Sequence, residues 1–416
     1  MDLMKKRWIV LIASIIVNIC IGTGFAWSVY QTGLFNESVS IFGFQATKAQ
    51  LALAFTICSG VAPIPMIAGS GLQAKFGPKK IVCMGGILFG AGLISTSFVS
   101  SLAGLYITYG LLTGFGIAFA YGITIGNTVK FFPDKRGLIA GISTAAYGAG
   151  SIIFPPIMQS LIGNIGTMST MRILGIFYTA AIIIAAQFIT QPPAGWVPDG
   201  YINPVQMSNK KGSADKNWKQ MLSDGKFYLM FIAFTIYATA GLMVVSQGLP
   251  MAQAIGGVGI ETAAAAVSII ALANTGGRVI WGWISDRIGR LPALVCMSAI
   301  ILVSGFGLSK INGSYGLFLI FAMLIALCYG GSMGVYPAMT ADFFGMKNNG
   351  VNYGVMFIGF ALGGYIGPVL ASSLSASTGS YSSPLAVVGI LGIISLALVI
   401  ILMSIRKKES KVGVAN

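Results

Sequence analysis

A chain of 416 residues that is 56% hydrophobic and only 8% charged, with mean hydropathy +0.85, carries more apolar surface than a water-soluble core could bury. Its net charge of +15 comes from basic residues dispersed over many short joints, which excludes a concentrated nucleic-acid-binding face, and its lack of histidine excludes histidine-based acid–base catalysis. The solvent for most of this chain is lipid.

Apolar stretches follow one another at residues 8–33, 47–72, 79–99, 103–130, 136–162, 171–190, 226–253, 261–284, 291–309, 314–341, 350–376 and 383–405. About 20 apolar residues cross ~30 Å of hydrocarbon as a helix. The pattern therefore predicts an all-α membrane protein with twelve transmembrane helices. The first stretch is too long for a signal-peptide core and is expected to stay as a helix. The five cysteines all fall in these stretches without CxxC spacing, which reads as apolar packing rather than disulfide or zinc chemistry. Neither a metal nor a cofactor is expected. Gly86 and Gly90, Gly110 and Gly114, and Gly359 and Gly363 are spaced for close helix–helix approach.

The long polar joint Gln191–Gly225 divides the chain into two six-helix bundles, 1–190 and 226–416. Of the 25 Lys and Arg, 21 fall in alternate joints, the intervening joints hold only Lys48, Arg172 and Lys310, and Arg278 lies inside a stretch. Cytoplasmic joints collect basic residues, so both termini and the long joint are expected in the cytoplasm and the chain in the cytoplasmic (inner) membrane. The halves share an offset of 212: Gly77 with Gly289, Phe131-Phe132 with Phe343-Phe344, and Pro156 with Pro368. Duplicated halves are a transporter architecture.

Gly282-Trp283-Ile284-Ser285-Asp286-Arg287-Ile288-Gly289-Arg290, after the eighth stretch, resembles the G-x-x-x-D-R-x-G-R loop motif of the major facilitator superfamily. The resemblance implies the major facilitator fold and a conformational latch made by Asp286, Arg287 and Arg290. The first-half copy, Ser70 to Lys80, keeps Lys75 and Gly77 but has Ala74 where the motif has Asp, which puts a first-half latch in doubt.

A narrower resemblance rests on Phe131 to Gly137, Thr144-Ala145-Ala146-Tyr147-Gly148, Asn274, Arg278, Trp281-Gly282, Asn352-Tyr353-Gly354 and Pro192 to Trp196. Together these are similar to the oxalate/formate antiporter family, relatives of the monocarboxylate transporters. An arginine inside a span usually faces a cavity or a partner. Arg278 shares a helix face with Asn274 and Trp281, and its planar fork matches a carboxylate. Members similar to this chain use an Arg here to hold the substrate carboxylate. The resemblance further places Trp27, Tyr30, Tyr121, Tyr147, Tyr329 and Gln50 around the substrate. Oxalate-exchanging members carry a Lys where this chain has Phe360, and Gly24, Phe25 and Met333 also depart from their pattern.

One fixed cation suits one carboxylate. The expectation is therefore a secondary transporter of a small monocarboxylate such as lactate, pyruvate or formate, working as a monomer by rocking of its halves. Proton symport is the first reading. Anion exchange and a carboxylate-sensing receptor remain alternatives. No nucleophile–base pair or phosphate-cradling loop suggests an enzyme.

Overall fold

The computed structural model describes residues 2–193, 196–198, 215–311 and 313–415. Among them twelve helices are long and apolar enough to cross a membrane: α1 Leu3–Asn36, α2 Lys48–Phe76, α3 Pro78–Thr96, α4 Leu102–Lys130, α5 Arg136–Ile165, α6 Thr167–Ala186, α7 Gly225–Ser246, α8 Ile260–Ile288, α9 Arg290–Lys310, α10 Tyr315–Phe344, α11 Asn349–Thr378 and α12 Ser382–Glu409. Several ends differ from the sequence pattern, two of them for reasons visible at the helix end itself. α6 starts four residues earlier than expected because the Glu37 carboxylate accepts hydrogen bonds from the Thr167 N–H (3.0 Å) and hydroxyl (2.7 Å), capping the helix there. α8 runs on through Ser285-Asp286-Arg287 and stops only where Gly289 takes φ 94°.

Several helices are interrupted. α1 passes through a 3₁₀ turn at Gly22–Ala26, and α4 through a π-helical segment at Tyr106–Thr113. α2 breaks ahead of Pro63, whose ring fits the first turn of the segment that follows.

The repeat is visible in the backbone. Adding 212 to the bounds of α2 gives those of α8. Gly77 and Gly289 close these two helices with nearly the same dihedrals, φ 80° and ψ 160° against φ 94° and ψ 157°. α3 packs on α6 and α9 on α12, the same pairing one repeat apart. The chain forms two compact units, residues 1–134 with 143–200, and 135–142 with 201–416. The first turns of α5 thus group with the second unit.

The spaced glycines sit at helix seams. Cβ atoms at Gly86 and Gly90 would strike Ile182 and Thr179 of α6, at Gly110 and Gly114 Ile57 and the Cys58 carbonyl of α2, and at Gly359 and Gly363 Thr235 and Ala238 of α7. Lys210 and Lys211, with Ala194-Gly195 of the Pro192–Trp196 motif, lie outside the described residues. The end of the long joint is pinned to the second unit. The Lys216 N–H donates to the Phe344 carbonyl, and Asn348 and Asn352 both donate to the Lys216 carbonyl (3.2 and 3.0 Å). Burial of Asp224 opposes its ionisation. The hydrogen bond from Lys216, that from the Lys226 N–H and the charges of both lysines outweigh this and hold its carboxyl below the ordinary value.

Candidate functional site

In the second unit, Arg278 lies on α8 and is 4% exposed. Its Nη2 donates to Asn274 Oδ1 at 3.2 Å, one helical turn away, while the Asn274 amide donates to the Ala326 carbonyl of α10 at 3.3 Å. Asn274 thus ties the guanidinium to the neighbouring helix. Trp281 is buried and faces Gly331 of α10, where a Cβ would meet its ring.

An aromatic wall continues the unit. Tyr329 and Phe360 lie parallel, 1° apart with centroids 6.3 Å apart, and Phe357 packs on Phe360 at 4.7 Å. Tyr353 abuts Phe357 at 5.8 Å and Phe234 approaches Phe360 at 6.3 Å. Phe360 therefore belongs to a ring cluster where the resembling family carries an ammonium.

In the first unit, Tyr121 packs on Tyr147 (4.8 Å), and Phe25 also packs on Tyr147 (4.9 Å). The 3₁₀ turn of α1 brings Phe25 there. Gly22 permits it, since a Cβ at Gly22 would collide with the Tyr147 carbonyl. Trp27 instead stacks on Tyr109 (4.1 Å), a residue of the π-helical segment whose hydroxyl donates to the Gly24 carbonyl. Tyr30 is 2% exposed. Gln50 lies at the exposed start of α2, where its Oε1 accepts from the Thr47 N–H at 2.8 Å in a capping box. The structure thus groups Tyr121 with Tyr147, and Arg278 with Asn274, but gives Trp27 a different neighbour and Gln50 a helix-end task.

Asp286 forms the centre of a charged cluster within the second unit. Its two oxygens accept from the Gly137 and Leu138 N–H groups, both at 2.8 Å, so it caps the N-terminus of α5. Arg290 bridges Asp286 (2.6 Å) and Asp342 (3.1 Å), and Arg136 pairs with Asp342 at 2.8 Å. Arg290 also donates to the Ser285 hydroxyl. Arg287 lies over the Trp283 ring (3.8 Å) and Lys75 over the Phe76 ring (5.3 Å), so neither enters the described ion pairs. Asp286 and Asp342 are thus both engaged within this cluster.

Sequence reasoning missed Arg136 and Asp342, whose contact spans 206 positions of chain. The signal in the sequence was slight: Arg136 follows Phe131-Phe132 by four residues, and Asp342 directly precedes Phe343-Phe344. It also missed a buried polar bridge in the first unit. There the Thr124 hydroxyl donates to Asn18 Oδ1 (2.9 Å) and the Asn18 amide donates to the Ser143 carbonyl (3.1 Å).

Comparison with known proteins agrees with this architecture. A family model described as Major Facilitator Superfamily matches residues 7–312 and 249–415. The chain is 30% identical over 360 residues to an uncharacterized MFS-type transporter, YhjX, of Escherichia coli (strain K12), covering 86% of each protein. It is 28% identical to the oxalate:formate antiporter of Oxalobacter formigenes, over 91% of this chain and 87% of that protein. It is 25% identical to monocarboxylate transporter 12 of Xenopus laevis, over 90% and 84%. The fold matches the crystal structure of the transporter FucP in its outward conformation with TM-score 0.70 at 16% identity, covering 95% of this chain and 99% of that one.

Proposed function

The chain belongs to the major facilitator superfamily and is a multi-pass membrane transporter rather than an enzyme, and from that premise we propose that it carries a small monocarboxylate of the lactate, pyruvate or formate kind. The observation that carries this reading is Arg278, a guanidinium 4% exposed within a span and oriented by Asn274. An arginine within a span usually faces a cavity or a partner, which suits a place at a substrate path. A planar fork binds a carboxylate in two parallel hydrogen bonds and stays charged at any working pH. Tyr329 and the rings around it offer a dry wall against the remainder of a small substrate. The named oxalate:formate and monocarboxylate relatives support an organic anion as substrate.

Phe360 sets the expected charge preference. A dianion in a low-dielectric site wants two positive partners, and this position supplies a ring instead. One cation matches one carboxylate. In this proposal the halves rock to expose the site alternately, Asp286 latches one conformation, and the basic joints and both termini face the cytoplasm from the inner membrane. Proton symport is favoured, the proton travelling with the acid. Anion exchange is the second reading. It is supported by the antiporter relative and by the engagement of Glu37, Asp134, Asp286 and Asp342 at span ends.

Uptake of labelled acids into proteoliposomes, with and without a pH gradient and with counter-anion inside, tests the proposal. Arg278→Lys is expected to cut monocarboxylate uptake by about 100-fold or more while leaving the protein folded, because the charge persists and the fork does not. Uptake by this variant near that of the unsubstituted chain removes Arg278 from the site. Monocarboxylates should compete for binding far better than oxalate, and Phe360→Lys should narrow that preference. Equal competition by oxalate overturns the one-cation argument.

A further inference from the structure

Glycines of α10 and of the first turns of α5 close on the Arg278 backbone of α8. A Cβ placed on Gly334 of α10 would collide with the Arg278 carbonyl, and so would one placed on Gly141 of α5. The same hypothetical Cβ of Gly334 would come within 3.2 Å of the Gly141 Cα, so the two glycines also face each other. One turn along the same seam, Gly330 stands against the Asn274 carbonyl, and Gly277 of α8 against that of Leu327. Neither Gly141 nor Gly334 has a positive φ. What each supplies is the missing side chain, not backbone freedom.

The repeat provides an internal reference. The position one repeat before Arg278 is Met66, and the position before Gly334 is Gly122. There a Cβ on Gly122 would meet Met66 Cγ at 3.2 Å and Met66 Cα at 3.6 Å, a contact that a flexible side chain can relieve. At Arg278 the obstacle is backbone on both sides. At this position the repeat has the looser fit, although glycines elsewhere approach backbone as closely, Gly22 at the Tyr147 carbonyl and Gly116 at the Phe89 backbone among them.

From these close approaches we infer that Gly141 and Gly334 are positioning residues for Arg278. They fix the depth and direction from which its fork meets a carboxylate. This inference rests on the reading of Arg278 as the carboxylate holder. Adding a methyl at either glycine pushes α8 away from α5 or α10 and displaces the fork, while its charge and its partner Asn274 remain.

The test uses the purified full chain, with pyruvate as the probe. Gly141→Ala and Gly334→Ala are each expected to raise the pyruvate Kd roughly tenfold or more, as misplacement of a binding group by about 1 Å does. Gly305→Ala is the packing control. It crowds the Gly389 backbone at the α9–α12 seam, away from Arg278, and should lower Tm while leaving Kd within about twofold. Unchanged Kd in both positioning variants, or an equal loss in Gly305→Ala, overturns the inference. Arg278→Lys separates the two layers. If it binds pyruvate normally, the site reading fails. If it loses pyruvate while both glycine variants keep it, only the positioning role fails. Where a glycine variant does not fold, hydrogen exchange on the unsubstituted chain decides. Pyruvate should slow exchange around residues 137–141 and 330–334 together with α8, and protection of α8 without either segment counts against the role.

Discussion

The two copies of the loop motif share a backbone and differ in charge. Both follow a helix closed by a glycine of positive φ, Gly77 at 80° and Gly289 at 94°. In the second copy, Asp286 caps α5, and Arg290 links it to Asp342 and so to Arg136. In the first copy, the position of Asp286 is Ala74. Nearby, Gln73 donates to Asn127 Oδ1 at 3.4 Å, the Asn127 amide donates to the Thr190 carbonyl at 2.8 Å, and Lys75 rests over a ring. Among the described residues, the charged pair of that unit is elsewhere, between Arg7 and Asp134 at 3.3 Å, with Arg7 also over the Phe132 ring at 4.9 Å. The repeated turn thus has nearly the same geometry with a carboxylate and without one, because glycine dihedrals and helix packing hold it in both copies.

Removing the acid from the charged copy should have the largest effect. Asp286→Ala leaves two helix-terminal N–H groups without their acceptor and Arg290 with only Asp342 and Ser285, a cost of about 1–3 kcal/mol at this degree of exposure. Initial uptake rates should fall about tenfold or more, with a lower Tm. Normal rates would mean that the cluster latches nothing in the cycle.

Arg290→Lys keeps the charge and sharpens the comparison. The arginine reaches Asp286 through Nη2 and Asp342 through Nε, and a single ammonium cannot serve both in that planar arrangement. Uptake is expected to drop by a smaller amount, about threefold to fivefold, which is about 1 kcal/mol. A loss as large as that of Asp286→Ala would assign the bridging geometry, rather than the helix cap, as the part that matters.

Ala74→Asp, which restores the motif in the uncharged copy, should change uptake by no more than about twofold, as for a surface substitution with no partner waiting. A gain or loss of tenfold would show that the first copy also works as a latch, and would end the contrast between the halves.

Much of the fold was legible in the chain. Hydrophobic runs gave the twelve spans, and the offset of 212 residues matched the helix bounds of α2 and α8, because lipid demands long apolar helices and duplication preserves spacing. Helix ends were less legible. The start of α6 depends on Glu37, which lies 130 residues from Thr167 in sequence, and no local pattern reports a cap supplied from that distance. Within the candidate site, Arg278 and Asn274 stood out because charge and amide at a four-residue spacing are rare in a span. Gln50 shows the opposite case. The family resemblance marked it, and its side chain closes the helix that it starts.

By itself, the sequence determined the solvent of the protein, its helical class, its two-fold repetition and an arginine set well inside a span. Those properties follow from composition and period, which each segment carries independently. Only the tertiary structure decided which acid meets which base, how a 3₁₀ turn in α1 sets Phe25 beside Tyr147, and that two glycines from separate helices close on the Arg278 carbonyl. These depend on distances between residues far apart in the chain, where one methyl group or one carboxylate changes the outcome, and a one-dimensional pattern does not contain those distances.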